Sequence, residues 1–397
     1  MYDVVIVGAG PAGSTAAKFL AEQDRNVLLI DKERFPRDKP CGGGLTAKVL
    51  EEFPYITKHN LIEAYSYGGY VYANTMKNKV EIKKETPIMA TVIRKTFDAG
   101  LVQLAVNQGC TLLEGKKVTD ISLTKDTVKT QIDSGETVES KTIIGADGIW
   151  SLTRKKAGLD PPQKQFALSL FNEYKLDESI IDQYFSTERY GHLHLKLNGL
   201  AGYGWVFSKK QHLNIGIGEM KPYQASNKKE LKPLFQSYIQ KLKEEHIIPD
   251  MISTDTIRGA VLPTQPIPKT YTDKVLLCGD AAGLINPITG EGIHYAMYSG
   301  RIAAQVINTA IKQQNTSNSF LSAYENQWKQ SFGKDIKLFL QIANQWETRD
   351  FKYFELLKKD EKLKDMFLEV MMGNSSAQEY KYKILKRMLY VKLKGVI

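Results

Sequence analysis

Cysteine is scarce in this chain of 397 residues, and long apolar runs are missing from it. The three cysteines, Cys41, Cys110 and Cys278, are too few and too far apart for a disulfide framework or a zinc site. No run of about 18 apolar residues occurs, which excludes a membrane-spanning helix. Residues 1–7 show no basic and apolar leader, so we expect no signal peptide and a cytoplasmic protein.

Acidic residues are outnumbered by basic ones. The chain has 44 Asp and Glu against 54 Lys and Arg, a formal net charge of +10. This charge predicts an anionic partner, either a phosphate-bearing substrate, a membrane surface or nucleic acid, and does not choose among them. The length and the 42% hydrophobic composition are typical of one large or two interleaved globular domains.

The first 31 residues predict a dinucleotide site. The apolar strand Val4–Val7 runs directly into GAGPAG, in which Gly8, Gly10 and Gly13 have the spacing G-x-G-x-x-G. A helical pattern follows, and then a second apolar strand that ends in Asp31. In such a unit the glycines permit a tight turn, the approach of a pyrophosphate and close helix packing, while the acid hydrogen-bonds a ribose.

Two distant stretches identify the dinucleotide. Residues 143–154, IIGADGIWSLTR, place Asp147 and Gly148 after an apolar strand, and residues 275–292, VLLCGDAAGLINPITGEG, place Gly279 and Asp280 after another. The order of the three motifs resembles that of the flavoprotein hydroxylase superfamily, which binds FAD. The resemblance implies that Asp280 hydrogen-bonds the ribityl chain and that the next helix directs its N-terminus at the flavin, where negative charge accumulates on reduction.

The resemblance also implies a set of FAD contacts, including Arg94 before a predicted helix and Val118 beside the adenine. A solvated arginine and a plain core valine are the alternatives. No second glycine fingerprint marks a separate site for a nicotinamide cofactor, so the electron donor stays open. The predicted FAD contacts are Gly8, Gly10, Ala12, Gly13, Asp31, Cys41, Gly42, Gly44, Arg94, Val118, Asp280, Gly290, Gly292 and Ile293.

Residues 202–218, GYGWVFSKKQHLNIGIG, predict an aromatic surface. Period-two geometry along a strand places Tyr203, Trp205 and Phe207 on one face. An ordinary core is one interpretation. The sequence also resembles that of the geranylgeranyl reductase family. Members of that family carry a P-x-C-G-x-G motif and, later in the chain, a Y-x-W-x-F-P motif followed by N-x-G-I-G. The further matching residues are Pro40, Cys41, Gly42, Gly44, Asn214, Gly216 and Gly218, whereas Ser208 replaces the family's proline.

The stretch KPCGGGLT, residues 39–46, raises the question of why a cysteine precedes three glycines. Glycines without side chains allow something flat to lie against the backbone, and we predict that this is the flavin ring. Cys41 would then line the pocket or donate a proton. A space-filling cysteine is the alternative.

The family resemblance implies an FAD-dependent reductase that saturates isolated double bonds of geranylgeranyl chains in archaeal-type phospholipid or its precursors. Its catalytic residues would be Cys41, Tyr203 and Trp205, and Tyr203, Trp205 and Phe207 would bind the prenyl chain. Ferredoxin, NADPH or another reduced carrier would supply electrons. A flavin-dependent monooxygenase or halogenase and an electron-transfer flavoprotein that reduces a membrane quinone are the alternatives.

We predict an α/β architecture in which a Rossmann-type FAD-binding domain (1–50, 94–159 and 271–315) is interleaved with an antiparallel-sheet substrate domain (51–93 and 160–270). A helical C-terminal region, 316–397, completes it. His192 and His194 alternate on a predicted strand without a third ligand, so we predict no metal site and interpret them as surface or pocket residues.

The last residues, 380–397, have six cations and no acid, and apolar residues recur among them at helical spacing. A solvated terminal helix explains this pattern. A lipid substrate instead favours peripheral contact with the cytoplasmic face of a membrane, and we predict that contact and no nucleic-acid partner.

Overall fold

The structure is a computed structural model that describes residues 1–73, 75–162, 166–219, 231–345 and 354–394. The strands are β1 Tyr2–Val7, β2 Val27–Asp31, β3 Gly44–Thr46, β4 Ala64–Ser66, β5 Gly68–Ala73, β6 Lys79–Lys83, β7 Met89–Thr91, β8 Thr111–Glu114, β9 Val118–Leu123, β10 Val128–Ile132, β11 Thr137–Gly145, β12 Phe166–Lys175, β13 Gly191–Leu195, β14 Gly202–Ser208, β15 His212–Glu219, β16 Arg258–Pro263, β17 Tyr271–Thr272 and β18 Val275–Leu277. The α-helices are α1 Pro11–Ala21, α2 Ala47–Glu52, α3 Tyr55–Lys58, α4 Arg94–Asn107, α5 Leu152–Lys156, α6 Glu178–Phe185, α7 Leu231–Glu244, α8 Ile293–Lys312, α9 Asn318–Trp328, α10 Lys334–Asn344, α11 Phe354–Lys359, α12 Glu361–Met371 and α13 Ala377–Leu393. No helix among these described residues combines the length and the apolar composition needed to cross a bilayer.

The first of two compact units consists of Met1–Lys39, Arg94–Gln165 and Leu262–Ile336. Its sheet has the strand order β17-β18-β11-β1-β2-β8, and β1 pairs in parallel with both β2 and β11. The middle residues of β1 are fully buried, as expected for a parallel strand covered on both faces. Strands β9, β10 and β11 form an antiparallel meander. The predicted FAD-binding fold is confirmed.

The second unit consists of Pro40–Ile93, Phe166–Val261 and Lys337–Ile397. It contains a seven-stranded sheet, β16-β12-β15-β14-β13-β5-β6, and a three-stranded sheet, β3-β7-β4. Residues 40–50 belong to this unit, where β3 pairs with β7. The domain limits given above stay a prediction.

The two faces of the seven-stranded sheet differ in what covers them. Strands β14 and β15 are antiparallel neighbours, with Trp205 opposite Gly216 and Phe207 opposite Asn214. Period-two alternation puts Tyr203, Trp205 and Phe207 on one side, which we call the aromatic face. The other side, which we call the core face, carries Leu213, Ile215 and Ile217 and packs against helices α6 and α7.

Candidate cofactor site and aromatic face

The glycine loop between β1 and α1 has the steric requirements that the motif predicts. Gly8 has a φ of +97°, and a Cβ atom on it would lie 2.3 Å from the Ala146 carbonyl oxygen. A Cβ atom on Gly13 would lie 1.8 Å from the Gly8 carbonyl oxygen, so neither position accepts a side chain. At Gly10 the nearest atom is Arg37 Nη2, at 3.6 Å from the position of a Cβ atom. The backbone is therefore open to a ligand at Gly10.

Asp31 holds this loop from the end of β2. Its Oδ2 accepts a hydrogen bond of 2.7 Å from the Ala9 N–H, and its Oδ1 accepts one of 2.9 Å from the Glu33 N–H. A carboxylate has about four acceptor positions, so two remain for a ribose. The loop contact is an observed role of Asp31, and the ribose contact stays a prediction.

Two arginines share one buried carboxylate beside the loop. Arg94 donates from Nε to Asp98 Oδ1 and from Nη2 to Oδ2, both at 2.7 Å, and Asp98 is fully buried. Arg37 Nη2 lies 3.0 Å from the same carboxylate, and its Nη1 is buried without a hydrogen-bond partner among the described residues. The Arg37 guanidinium therefore lies beside the open backbone at Gly10, where it provides a cationic donor that suits a pyrophosphate.

Arg37 and Asp98 were missed by the sequence reasoning. The only local signal for Arg37 is its place between Asp31 and the cysteine-glycine stretch. The signal for Asp98 is its spacing of four residues from Arg94 on a helix, which brings the two side chains together. Neither signal indicates that Arg37 and Arg94 contact the same carboxylate, that of Asp98.

The D-G and G-D turns are tied together by Arg154. The Asp147 carboxylate accepts hydrogen bonds from the Ser151 hydroxyl and from the N–H and hydroxyl of Thr153, so it orders its own turn. Arg154, almost fully buried, donates from Nη1 to the Ala281 carbonyl oxygen at 3.1 Å. This bond fixes the G-D turn relative to the D-G turn.

Asp280 lies in the turn after β18, opposite the start of helix α8. Burial raises the pKa of its carboxyl group above the usual value, against the opposing charges of Lys39 and Arg94. A Cβ atom on Gly292, the N-cap residue of α8, would lie 3.7 Å from Asp280 Oδ1. The N-terminal end of α8 therefore lies near Asp280, and its helix dipole favours a negatively charged ligand.

The remaining predicted FAD residues have less diagnostic surroundings. Ala12 and Val118 lie in the main hydrophobic cluster of the first unit, and Ile293 is buried at the start of α8. Gly290 has a φ of +69°, which favours glycine. Their contacts with FAD stay predictions.

The first unit fits FAD. The open backbone at Gly10, the buried unpaired Nη1 of Arg37 and the start of α8 provide donors for anionic groups. Asp31 and Asp280 provide acceptors for hydroxyl groups. These residues would hold the cofactor.

The rings of the aromatic face are in contact along strand β14. Ring centroids of Tyr203 and Trp205 lie 5.8 Å apart, and those of Trp205 and Phe207 lie 6.4 Å apart. A Cβ atom on Gly216 would lie 2.2 Å from the Trp205 indole, so the indole takes the place of a side chain on β15. The glycine of the N-x-G-I-G motif therefore makes room for the tryptophan of the Y-x-W-x-F motif.

The cysteine-glycine stretch packs onto this face. A Cβ atom on Gly42 would lie 3.3 Å from the Phe207 ring. Gly43 has a φ of +75°, and a Cβ atom there would lie 2.2 Å from the Val92 carbonyl oxygen. Cys41 is partly exposed, and its Sγ accepts a hydrogen bond of 3.3 Å from the Gly43 N–H. Within the second unit, the flat groups against the glycines are thus an aromatic ring and the backbone.

Asn214 joins the stretch to the aromatic face. This fully buried side chain accepts a 2.8 Å hydrogen bond from Trp205 Nε1 and donates one of 3.2 Å to the Cys41 carbonyl oxygen. Lys209, also fully buried, donates to the Val92 carbonyl oxygen at 2.9 Å and pairs with Glu173 at 2.7 Å. These buried polar contacts fix the backbone around Cys41.

The interpretation of His192 and His194 as surface or pocket residues is wrong. Both are buried on the core face, where His192 Nδ1 lies 3.0 Å from the Tyr72 hydroxyl and His194 Nδ1 lies 2.8 Å from the Tyr238 hydroxyl. Burial lowers the pKa of His192 to about 4 and that of His194 to about 3. No cluster of three metal-ligating side chains occurs in the described part of the chain.

Comparison with known proteins identifies the family of this chain. The FAD binding domain family matches residues 1–332. An uncharacterized protein of Methanosarcina barkeri is 36% identical over 78% of this chain and 76% of its own length. Digeranylgeranylglycerophospholipid reductase 1 of Methanococcoides burtonii is 32% identical over 84% of this chain and 81% of its own length.

Solved structures share the fold. A geranylgeranyl bacteriochlorophyll reductase-like protein from Thermoplasma acidophilum has a TM-score of 0.77 and 24% identity, covering 96% of this chain and 98% of that one. The halogenase PltM in complex with phloroglucinol and FAD has a TM-score of 0.70 and 18% identity, covering 94% of this chain and 83% of that one. The chain belongs to the FAD binding domain family and, within it, to the geranylgeranyl reductase family, and it is an FAD-dependent oxidoreductase that acts on CH–CH groups.

Proposed function

We propose that this protein saturates isolated double bonds of geranylgeranyl chains in an archaeal-type membrane phospholipid or its precursors. The observation that carries the proposal is the packing of the Cys41 stretch on the aromatic face, joined by Asn214. The similarity to digeranylgeranylglycerophospholipid reductases supports the same substrate class.

The chemistry of an isolated alkene explains this arrangement. An unpolarised trisubstituted double bond accepts a hydride poorly, so a proton must arrive before or with it, and positive charge develops on the tertiary carbon. When FAD is bound, it supplies the hydride. The ring faces of Tyr203 and Trp205 would stabilise the positive charge by about 0.5–2 kcal/mol for each contact.

Cys41 would donate the proton or shape the pocket around the alkene. Its thiol is partly exposed, and the Gly43 N–H and the Asn214 carboxamide fix its sulfur and its backbone. The apolar rings of the aromatic face would keep water from the reacting carbon. In this proposal Phe207 binds the prenyl chain beside Tyr203 and Trp205.

The proposal includes a partner that supplies electrons and a location that supplies lipid. Ferredoxin, NADPH or another reduced carrier would reduce the protein. The protein would work at the cytoplasmic face of a membrane, where its lipid substrate resides.

The decisive experiment uses dithionite-reduced protein without oxygen. It is incubated with geranylgeranyl diphosphate or with a geranylgeranylated glycerophospholipid, and the masses of the products are measured by mass spectrometry. We expect a gain of two hydrogens for each saturated bond. Tyr203→Leu should slow saturation by about 2- to 30-fold through the lost ring contact, whereas Tyr184→Leu, a half-buried tyrosine of helix α6, should not.

Other products would identify another function. Incorporated oxygen or halogen during aerobic turnover would indicate a monooxygenase or halogenase, as in the PltM fold relative. Reduction of a quinone with every prenyl double bond intact would indicate an electron-transfer flavoprotein.

A further inference from the structure

Helix α13 has apolar side chains on two opposite faces. One face packs into the second unit, with Val391 buried against Leu356 and Leu363, and Ile384 and Met388 packed beside it. Residues on a helix turn by about 100° each, so these positions form one stripe. This inner stripe fixes the helix to α11 and α12.

The outer face of α13 is apolar, although its large apolar side chains are exposed among the residues that the structure describes. Five large apolar side chains there are between 44% and 86% exposed, and four of them recur at intervals of three and four residues. Elsewhere in the described chain, exposed apolar side chains of this size occur at scattered positions. The five residues are Tyr382, Leu385, Leu389, Tyr390 and Leu393.

Lysines flank this outer stripe. Glu379 is the only acid on α13, and it lies one turn before the stripe begins. Arg387 is not part of the free charge, because its guanidinium pairs with Asp360 at 2.6 Å and ties the helix to the N-cap of α12. The exposed cations are Lys383, Lys386, Lys392 and Lys394.

We propose that the outer face of α13 docks on an anionic lipid surface. An apolar stripe with lysines at its edges lies in the plane of a bilayer interface, with leucines among the acyl chains and lysines at the phosphates. Tyrosines fit the same boundary because their rings are apolar and their hydroxyl groups are polar. A second copy fits less well, since symmetric pairing would bring lysines of like charge together.

The test is flotation of the full-length holoprotein with vesicles. We expect binding to phosphatidylcholine vesicles that contain phosphatidylglycerol, little binding to pure phosphatidylcholine vesicles, and a fall in binding with salt. Lys383→Gln with Lys386→Gln should weaken binding about thirtyfold, because each lysine near the surface contributes about fivefold. Leu385→Ser with Leu389→Ser should weaken it by about tenfold or more.

Matched controls lie on the meander of the first unit. Lys117→Gln with Lys125→Gln removes two exposed lysines, and Leu123→Ser removes an exposed leucine; neither should change flotation. Equal losses in these variants and in the α13 variants would overturn the proposal. The proposal would also be overturned if the parent protein did not bind vesicles and instead formed a dimer by sedimentation equilibrium. In that case the Leu385→Ser, Leu389→Ser variant would be monomeric. Prenyl saturation measured in detergent is a separate assay, so its failure would count against the proposed reaction and not against docking.

Discussion

At the scale of single residues, the Asn214 carboxamide makes the contact with the clearest consequence. Replacing Asn214 by alanine leaves Trp205 Nε1 and the Cys41 carbonyl oxygen without their buried partner, which costs about 1–3 kcal/mol. The backbone around Cys41 should then open more often, and a thiol reagent should modify Cys41 about tenfold faster. Because Cys110 and Cys278 are buried, the fast phase of labelling reports on Cys41 alone.

A matched control is available one strand away. Asn172 on β12 is also buried, and its amide donates to the Thr256 carbonyl and hydroxyl oxygens at 3.0 Å. Asn172→Ala should leave the Cys41 labelling rate within about twofold. Asn214→Asp keeps an acceptor for Trp205 but loses the donor toward Cys41, so it should behave like Asn214→Ala. Equal rates in the Asn172 and Asn214 variants would refute this role.

Single residues also show where sequence reasoning succeeds and where it stops. The tight packing at Gly8 and Gly13 follows from local spacing, and the structure agrees. For the glycines after Cys41 the sequence predicts a flat neighbour but cannot name it, because Phe207 is distant in the chain. Arg37 was missed for the same reason, since its pairing with the Asp98 carboxylate exists only after folding.

At the scale of elements, periodicity predicts well where the strands lie. It predicts poorly which face of the sheet packs against helices. The strand at 203–207 and the common face of its aromatic residues follow from period-two alternation. Which face of the sheet the helices cover is decided by α6 and α7, and no pattern within β13 reveals that choice. His192 and His194 were misinterpreted on this account.

The buried histidines predict how stability depends on pH. Both have a pKa near 6.5 when unfolded, whereas burial lowers the folded pKa of His192 to about 4. Below pH 6.5 the unfolded chain therefore binds more protons, so stability is fully present above that pH and falls toward pH 4. Between pH 7.5 and pH 5 we expect a loss of about 2 kcal/mol for His192 in urea unfolding.

In the variant His192→Asn, the free energy of unfolding should fall less between pH 7.5 and pH 5 than it does in the parent, whatever the stability of the variant at pH 7.5. If the parent and His192→Asn lose the same free energy of unfolding between pH 7.5 and pH 5, burial does not lower the pKa of His192 in the folded protein.

At the scale of the whole molecule, binding of FAD should raise the free energy of unfolding of the protein. The purified protein should be yellow, and its apoprotein should gain about 2.7 kcal/mol when free FAD is a hundredfold above its dissociation constant. A thermal melt at increasing FAD concentration measures this gain. Riboflavin lacks the pyrophosphate for which Arg37 and the Gly10 loop are suited, so it should shift the melting temperature much less. Equal shifts with riboflavin and FAD would contradict the pyrophosphate assignment.

The division of the first unit into three chain segments has a consequence for synthesis on the ribosome. Strand β1 is made well before its parallel partner β11, which begins at Thr137, and before β18, which begins at Val275. At about 5–20 residues per second, one edge of β1 waits on the order of ten seconds for its neighbour. An open apolar edge is a template for pairing with other chains. We therefore expect this edge of β1 to be open to pairing with other chains until β11 has been synthesised.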